Sequence, residues 1–84
     1  MEKLVAGIVS PKSNYVLMPD GSFASPGRYK TAWQFDDKQQ AAAELAKHLP
    51  VFAKSEARRT KKKYIVNGEF YVPLSAFEAT GAGV

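Results

Sequence analysis

The segment after Asp36 places the strongest constraint on the fold, because its apolar residues recur at helical spacing between a start signal and a stop signal. Asp36 is a residue type that caps helix N-termini, and Gln39 stands three positions later, as in a capping box. Pro50 cannot continue a helix and predicts its end. The sequence therefore predicts one amphipathic helix over about residues 37–49. Its apolar stripe consists of Ala42, Leu45, Ala46 and Leu49.

Short apolar segments separated by turn residues surround this helix and predict strands. Residues 3–9 form a run rich in Val and Ile, and a second strand begins near Asn14. Gly21 is suited to the positive φ that closes a hairpin loop. Over residues 29–35 aromatic and polar residues alternate, which predicts a strand with its aromatic face toward the core. The turns fall at residues 10–13, 19–21 and 25–28, the last as a type II turn with Gly27 at positive φ.

The dipeptide Asn67-Gly68 is the strongest hairpin signal in the chain. It lies between two apolar runs within residues 64–72 and is typical of a two-residue type I′ turn. The register that such a turn sets pairs Ile65 with Phe70. We therefore expect these two side chains to face the core together.

Two further regions complete the expected order of elements. Residues 51–60 are compatible with a strand or a helical turn, and we favour a strand. Ser75 and Glu78 stand in capping-box positions and predict one helical turn, which Phe77 holds to the body of the domain. Residues 80–84 are expected to form a flexible tail.

Together these elements predict the α+β class, with a small antiparallel sheet built from hairpins and packed against the one main helix. A chain of 84 residues is sufficient for a single domain, placed at residues 1–79. It contains no cysteine, which excludes disulfides and indicates a reducing compartment. The apolar run over residues 4–9 is too short to cross a membrane and lacks the features of a signal peptide. We therefore expect a cytoplasmic protein without a membrane partner.

The side chains that catalysis requires are scarce. His48 is the single histidine, and its predicted place in the last helical turn favours a structural role there. Asp20 is explained by a turn, and Asp36 with its neighbour Asp37 by the helix start. Neither a GxSxG motif nor a GxGxxG or P-loop spacing occurs. We therefore expect that the chain is not an enzyme and that it has neither a metal site nor a cofactor.

A cluster of basic residues is the one feature that exceeds what folding requires. The run Arg58-Arg59-Thr60-Lys61-Lys62-Lys63 has five positive charges in six residues, within a net charge of +4. It suits contact with phosphates, and the neighbouring Tyr64 and Tyr71 would serve as stacking platforms for bases. As a ligand of the basic run, an acidic protein surface competes with nucleic acid. The alternative is structural, namely lysines that protect an exposed sheet edge.

A second candidate surface surrounds Arg28, within residues 23–29. Aromatic and arginine side chains of this kind are enriched at protein interfaces. The alternative is that Phe23 and Tyr29 belong to the core.

The segment Tyr15-Val16-Leu17…Asp20-Gly21-Ser22-Phe23…Gly27-Arg28-Tyr29…Ala32-Trp33-Gln34-Phe35-Asp36-Asp37…Ala41-Ala42 resembles a pattern in short phage-encoded accessory proteins, over residues 15–49. The resemblance implies a viral protein that acts in the host cytoplasm by docking on a host complex, as anti-CRISPR proteins and inhibitors of host polymerase do. The leading hypothesis is therefore a binding protein that inhibits or modulates a host protein or ribonucleoprotein. The alternative is a nucleic-acid-binding module that uses residues 58–63 with Tyr64 and Tyr71. The oligomeric state is left open.

Overall fold

The computed structural model describes residues 3–80, with side chains described through Phe77. It has the predicted α+β architecture, an antiparallel sheet packed against one long helix. Thr80, the first residue of the predicted tail, is the last residue of a helix, and residues 81–84 lie outside the described residues. The elements are β1 (Leu4–Val9), β2 (Asn14–Leu17), β3 (Phe23–Ala24), a 3₁₀ helix (Pro26–Thr31), β4 (Gln34–Phe35), α1 (Lys38–Thr60), β5 (Gly68–Pro73) and α2 (Leu74–Thr80).

Strand β1 is the centre of the sheet. Along one edge it pairs over its whole length with β5, from Leu4 opposite Pro73 to Val9 opposite Gly68. Its other edge is shared by two strands, because β2 pairs with residues 7–9 and β4 with Leu4 and Val5. The hairpin predicted at Gly21 is confirmed, with φ of +87° at that residue and β3 paired to β2.

The two faces of the sheet carry separate hydrophobic clusters. Val5 and Val16 point to the face covered by the 3₁₀ helix and α2, where Tyr29 and Phe77 are buried. The alternate residues of β1, Ala6 and Ile8, point to the opposite face. That face is covered by α1, whose fully buried residues are Ala41 and Leu45. The domain thus has three layers, with the sheet in the middle.

Helix α1 is much longer than predicted, because it continues through Pro50 to Thr60. The expectation of a strand over residues 51–60 is wrong. Pro50 is solvent-exposed, and the packing of Phe52 against three aromatic rings holds the second half of the helix in place. This tertiary packing offsets the helix hydrogen bond that proline removes.

The start of α1 is displaced by one residue from the prediction, and its buried face agrees with the prediction in part. Asp37, and not Asp36, is the N-cap, since its carboxylate accepts a hydrogen bond from the Gln40 N–H at 2.7 Å. Asp36 instead forms an ion pair with Lys3. Of the predicted stripe, Leu45 is fully buried, Ala42 and Leu49 are half-buried, and Ala46 is exposed; Ala41, outside the predicted stripe, is fully buried as well.

The predicted strand over residues 29–35 is wrong for residues 29–33, and only Gln34–Phe35 form a strand. Pro26 starts a 3₁₀ helix, and the Ala32 N–H donates to the Tyr29 carbonyl at 3.2 Å. Tyr29 and Ala32 are therefore buried at a spacing of three, which suits this helix and not a strand. Gly27 does not have positive φ, so the predicted type II turn is absent as well.

The prediction of a hairpin at Asn67-Gly68 is also wrong. Gly68 lacks the positive φ of a type I′ turn, and residues 63–67 form no strand. The Asn67 N–H donates to the carbonyl of Val9 at 2.7 Å, because β5 pairs with the available edge of β1. Ile65 is consequently 53% exposed and outside the core. Helix α2 begins one residue before Ser75, and Phe77 is buried as predicted.

Candidate functional site

The basic run lies where α1 ends. Arg58 and Arg59 occupy its last turn, and Lys61 ends the helix in the left-handed conformation with φ of +59°. Lys62 and Lys63 follow in the exposed connection to β5. Positive charge at a helix C-terminus is favourable against the helix dipole, which gives part of the run a structural role.

A groove of about 390 Å³ opens between this end of α1 and the turn that joins β1 to β2. Three chain segments therefore contribute to one concave surface, which we call the basic groove. Its lining residues are Ser10, Pro11, Lys12, Tyr15, Glu56, Arg59, Thr60, Lys62, Lys63, Tyr64 and Ile65.

Aromatic packing forms the floor of the basic groove. Phe52 of α1 contacts Tyr15 and Tyr64 edge-on, with ring centroids 5.3 Å and 5.4 Å apart. The Tyr64 hydroxyl is buried, and this burial raises the pKa of the phenol. Tyr64 thus supports the groove more than it offers a free stacking face.

Some of the charged side chains around the basic groove form an ion pair, and others do not. Arg59 and Glu56 form a salt bridge of 2.8 Å, which lowers the pKa of the Glu56 carboxyl and raises that of the arginine. Among the side chains of residues 3–77, Lys12, Lys62 and Lys63 form no ion pair. The groove therefore has a surplus of exposed positive charge.

Tyr71 does not join this site. Its ring lies near the first residue of α1, with the Lys38 ammonium 5.6 Å from the ring centroid, whereas the basic groove lies at the last turn of the same helix. The Tyr71 hydroxyl donates to Glu69 at 2.9 Å, and burial together with this carboxylate raises its pKa to about 12. The expected pair of stacking platforms is therefore not brought together.

Arg28 is also separate from the basic groove. It belongs to the 3₁₀ helix, which packs with α2 on the other face of the sheet. Around it, Tyr29 is buried and stacks on Phe77 with centroids 5.1 Å apart, and Phe23 packs against Phe52 at 4.7 Å. The aromatic residues of this second surface are thus committed to the interior.

Sequence reasoning missed the groove residues that lie outside the basic run and Tyr64, among them Lys12 and Tyr15. Lys12 and Tyr15 are more than forty positions from the basic run and come to it only through the pairing of β2 with β1 and the length of α1. Lys12 lies in a turn of the ordinary Ser-Pro type, so its sequence context gives no binding signal.

His48 lies in the middle of α1 and not in its last turn. Its ring is 6.0 Å from that of Trp33, and its Nε2 is 3.6 Å from a Glu44 carboxylate oxygen. Asp20 has the expected turn role, since it accepts a hydrogen bond from the Ser22 N–H at 2.9 Å. Each of these groups is explained by local structure.

Three negative findings complete the description of the described residues and of the sequence. In the described part of the chain, no group of three or more His, Asp or Glu residues is arranged to hold a metal ion. No helix among residues 3–80 has the length and apolar character needed to cross a membrane. Comparison with protein-family models, with curated proteins and with solved structures finds no match to this chain.

Proposed function

We propose that this chain is a non-catalytic binding protein that docks through the basic groove on an acidic surface of a host protein or ribonucleoprotein, and so inhibits or modulates it. The observation that carries the proposal is the convergence of Lys12 with Lys62 and Lys63 around one groove. These lysines come from separate segments, and none has an ion-pair partner among the described side chains, those of residues 3–77. Crowded like charges favour an anionic ligand.

The structural alternative for the basic run receives no support from its position. Lysines protect a sheet edge when they lie on an edge strand. Residues 58–60 lie in α1, and 61–63 in the connection that follows, so none belongs to a strand. The charges of Lys62 and Lys63, which form no ion pair among the side chains of residues 3–77, are therefore available to a partner.

An acidic protein surface fits the groove better than bases do. A protein interface combines an apolar centre with a polar rim. Here Tyr15 and the 53% exposed Ile65 provide apolar surface, and lysines surround it. By contrast, Tyr64 packs edge-on against Phe52, and Tyr71 is remote, so successive bases lack their platforms.

Single-stranded nucleic acid is the second candidate, because the same lysines suit phosphates. If Lys12, Lys62 and Lys63 each neutralised one phosphate, the logarithm of the affinity would fall against the logarithm of salt concentration with a slope of about −2. Fluorescence anisotropy with labelled single- and double-stranded oligonucleotides measures this slope. No binding even at low salt would exclude this candidate.

The test of the leading proposal compares three forms of the protein as baits in a lysate of the host. The groove variant carries Lys12→Ala, Lys62→Ala and Lys63→Ala. The control variant removes the same charge from exposed lysines elsewhere, Lys30→Ala, Lys47→Ala and Lys54→Ala. We expect a partner that the wild type and the control capture and the groove variant does not.

The captured partner is then purified, and its affinity for each form is measured by calorimetry. We expect the groove variant to bind at least tenfold more weakly than the control variant, in line with lost charge-assisted contacts at an interface. Equal affinities for the groove variant and the control would contradict the proposal. An activity assay of the purified partner tests inhibition separately.

A further inference from the structure

Strand β5 has one edge without a partner. It pairs with β1 over six residues, and no other strand among residues 3–80 lies beside it. The opposite edge of the sheet is formed by β3 and β4, which have two residues each. The free edge of β5 is thus the longest one that the described sheet presents.

The register shows which backbone groups face this free edge. The Leu74 N–H donates to the Lys3 carbonyl at 3.1 Å, one position beyond the Leu4–Pro73 pair. Opposite residues in an antiparallel ladder alternate between hydrogen-bonded and non-hydrogen-bonded pairs. Phe70 and Val72 lie four and two residues before Leu74, so they direct their N–H and C=O groups toward β1 as Leu74 does. Glu69 and Tyr71 direct theirs outward, and no described residue bonds to them.

Pro73 is consistent with this arrangement. Pro73 is opposite Leu4, and this pair is one of the non-hydrogen-bonded pairs between β1 and β5. The backbone nitrogen of Pro73 therefore points to the free edge, where β5 loses no hydrogen bond to β1 because proline has no N–H. Proline is tolerated in sheets at such outward positions. Apart from Pro73 and Glu69, β5 has none of the charged or bulged residues that usually protect an edge.

We infer that the free edge of β5 binds a second copy of this chain, with the two β5 strands antiparallel about a two-fold axis at Phe70. A two-fold axis perpendicular to the sheet keeps the same face of both copies on the same side. Glu69 of each copy then lies opposite Tyr71 of the other. Both residues have outward N–H and C=O groups, so each such pair exchanges two backbone hydrogen bonds.

Charge complementarity favours a second copy in this register. The Lys38 ammonium lies 5.6 Å from the ring centroid of Tyr71, on the face that α1 covers. Cross-strand neighbours share one face, so the register brings Glu69 of the second copy beside Tyr71. The Tyr71 hydroxyl already donates to Glu69 of its own chain, so the partner that this second carboxylate finds is the Lys38 ammonium, which forms no ion pair among the side chains of residues 3–77. The antiparallel arrangement also places the two basic grooves at opposite ends of the joined sheet, which limits their repulsion.

The test measures mass against concentration for the full chain. We expect the mass in light scattering to rise from the 9.2 kDa monomer toward twice that value between about 10 μM and 1 mM. Hydrogen exchange followed by NMR should show slowing with concentration at the amides of Glu69 and Tyr71. The amide of Phe70 should be protected at every concentration.

Two variants at Glu69 distinguish a dimer held by backbone hydrogen bonds of β5 from a dimer formed through another surface. Glu69→Pro removes an outward N–H and should raise the dimer dissociation constant at least tenfold, whereas Glu69→Ala keeps that N–H and should raise it less. Circular dichroism confirms that both variants fold. A wild-type chain that stays monomeric, with fast exchange at Glu69 and Tyr71, would overturn the inference, as would a dimer that Glu69→Pro leaves intact.

Discussion

The ring of Tyr64 meets the ring of Phe52 edge-on, with centroids 5.4 Å apart. Phe52 lies in the half of α1 beyond Pro50, and Tyr64 lies in the connection that carries Lys62 and Lys63. This contact therefore holds the two segments at the distance that forms the basic groove. The groove depends on a helix that continues past its proline.

Replacing Phe52 with alanine should lower the free energy of unfolding by about 3 kcal/mol, since a large aromatic side chain with three ring contacts is lost. The matched control is Val51→Ala, because Val51 is 71% exposed and should change stability by no more than about 0.5 kcal/mol. Urea unfolding measures both values. Equal effects would show that the second half of α1 does not pack on the sheet.

Replacing Pro50 with alanine should raise the free energy of unfolding by about 1–3 kcal/mol. Alanine restores a helix hydrogen bond to the Ala46 carbonyl and removes the steric conflict of the proline ring. Lys54→Ala, on the exposed face of the same helix, is the control and should change stability by only about 0.5 kcal/mol. Reduced stability of Pro50→Ala would indicate that the helix ends near residue 49.

Two glycine replacements test the pairing of β5 directly. A Cβ on Gly7 would lie 2.1 Å from the Phe70 ring and 2.5 Å from the Tyr15 carbonyl oxygen, so Gly7→Ala should lose about 3 kcal/mol of unfolding free energy or more. A Cβ on Gly68 meets nothing within 4 Å. Gly68→Ala should therefore gain about 0.5 kcal/mol through the unfolded state. A strong loss at Gly68 would instead support the type I′ turn.

Stability should fall at alkaline pH because of Tyr71. Its pKa in the folded chain is about 12, whereas the unfolded phenol titrates near 10.0, so the unfolded chain loses its proton first. The contribution of protonated Tyr71 to the free energy of unfolding is fully present below pH 10 and is lost as the pH rises toward 12. Tyr71→Phe should weaken this dependence, with a remainder from Tyr64, whose pKa is also raised. Identical profiles in urea unfolding would argue against the raised pKa of Tyr71.

Local signals predicted the elements whose geometry depends on few residues. Gly21 at positive φ determined the β2–β3 hairpin, and an aspartate placed the start of α1 to within one residue. The errors arose where tertiary contacts outweigh local preference. Pro50 remains helical because Phe52 is packed, and Asn67-Gly68 does not turn because β5 pairs with β1.

The candidate site was predicted only in part for the same reason. The run of five basic residues can be recognised from the sequence alone, and three of them, Arg59, Lys62 and Lys63, line the groove. Lys12 and Tyr15 reach the groove only through strand pairing and helix length, which no local pattern encodes. Conversely, Tyr71 is close to Tyr64 in sequence, but β5 carries it toward the other end of α1.

The most direct test of binding through the basic groove is an NMR titration of backbone amides with an oligoglutamate peptide at low salt. We expect shift changes confined to the groove, namely around Lys12, Tyr15 and residues 59–65, and their loss in the groove variant but not in the control variant. Added salt should reverse them. Shift changes centred on Arg28, or equal changes in the groove and control variants, would contradict the proposed site.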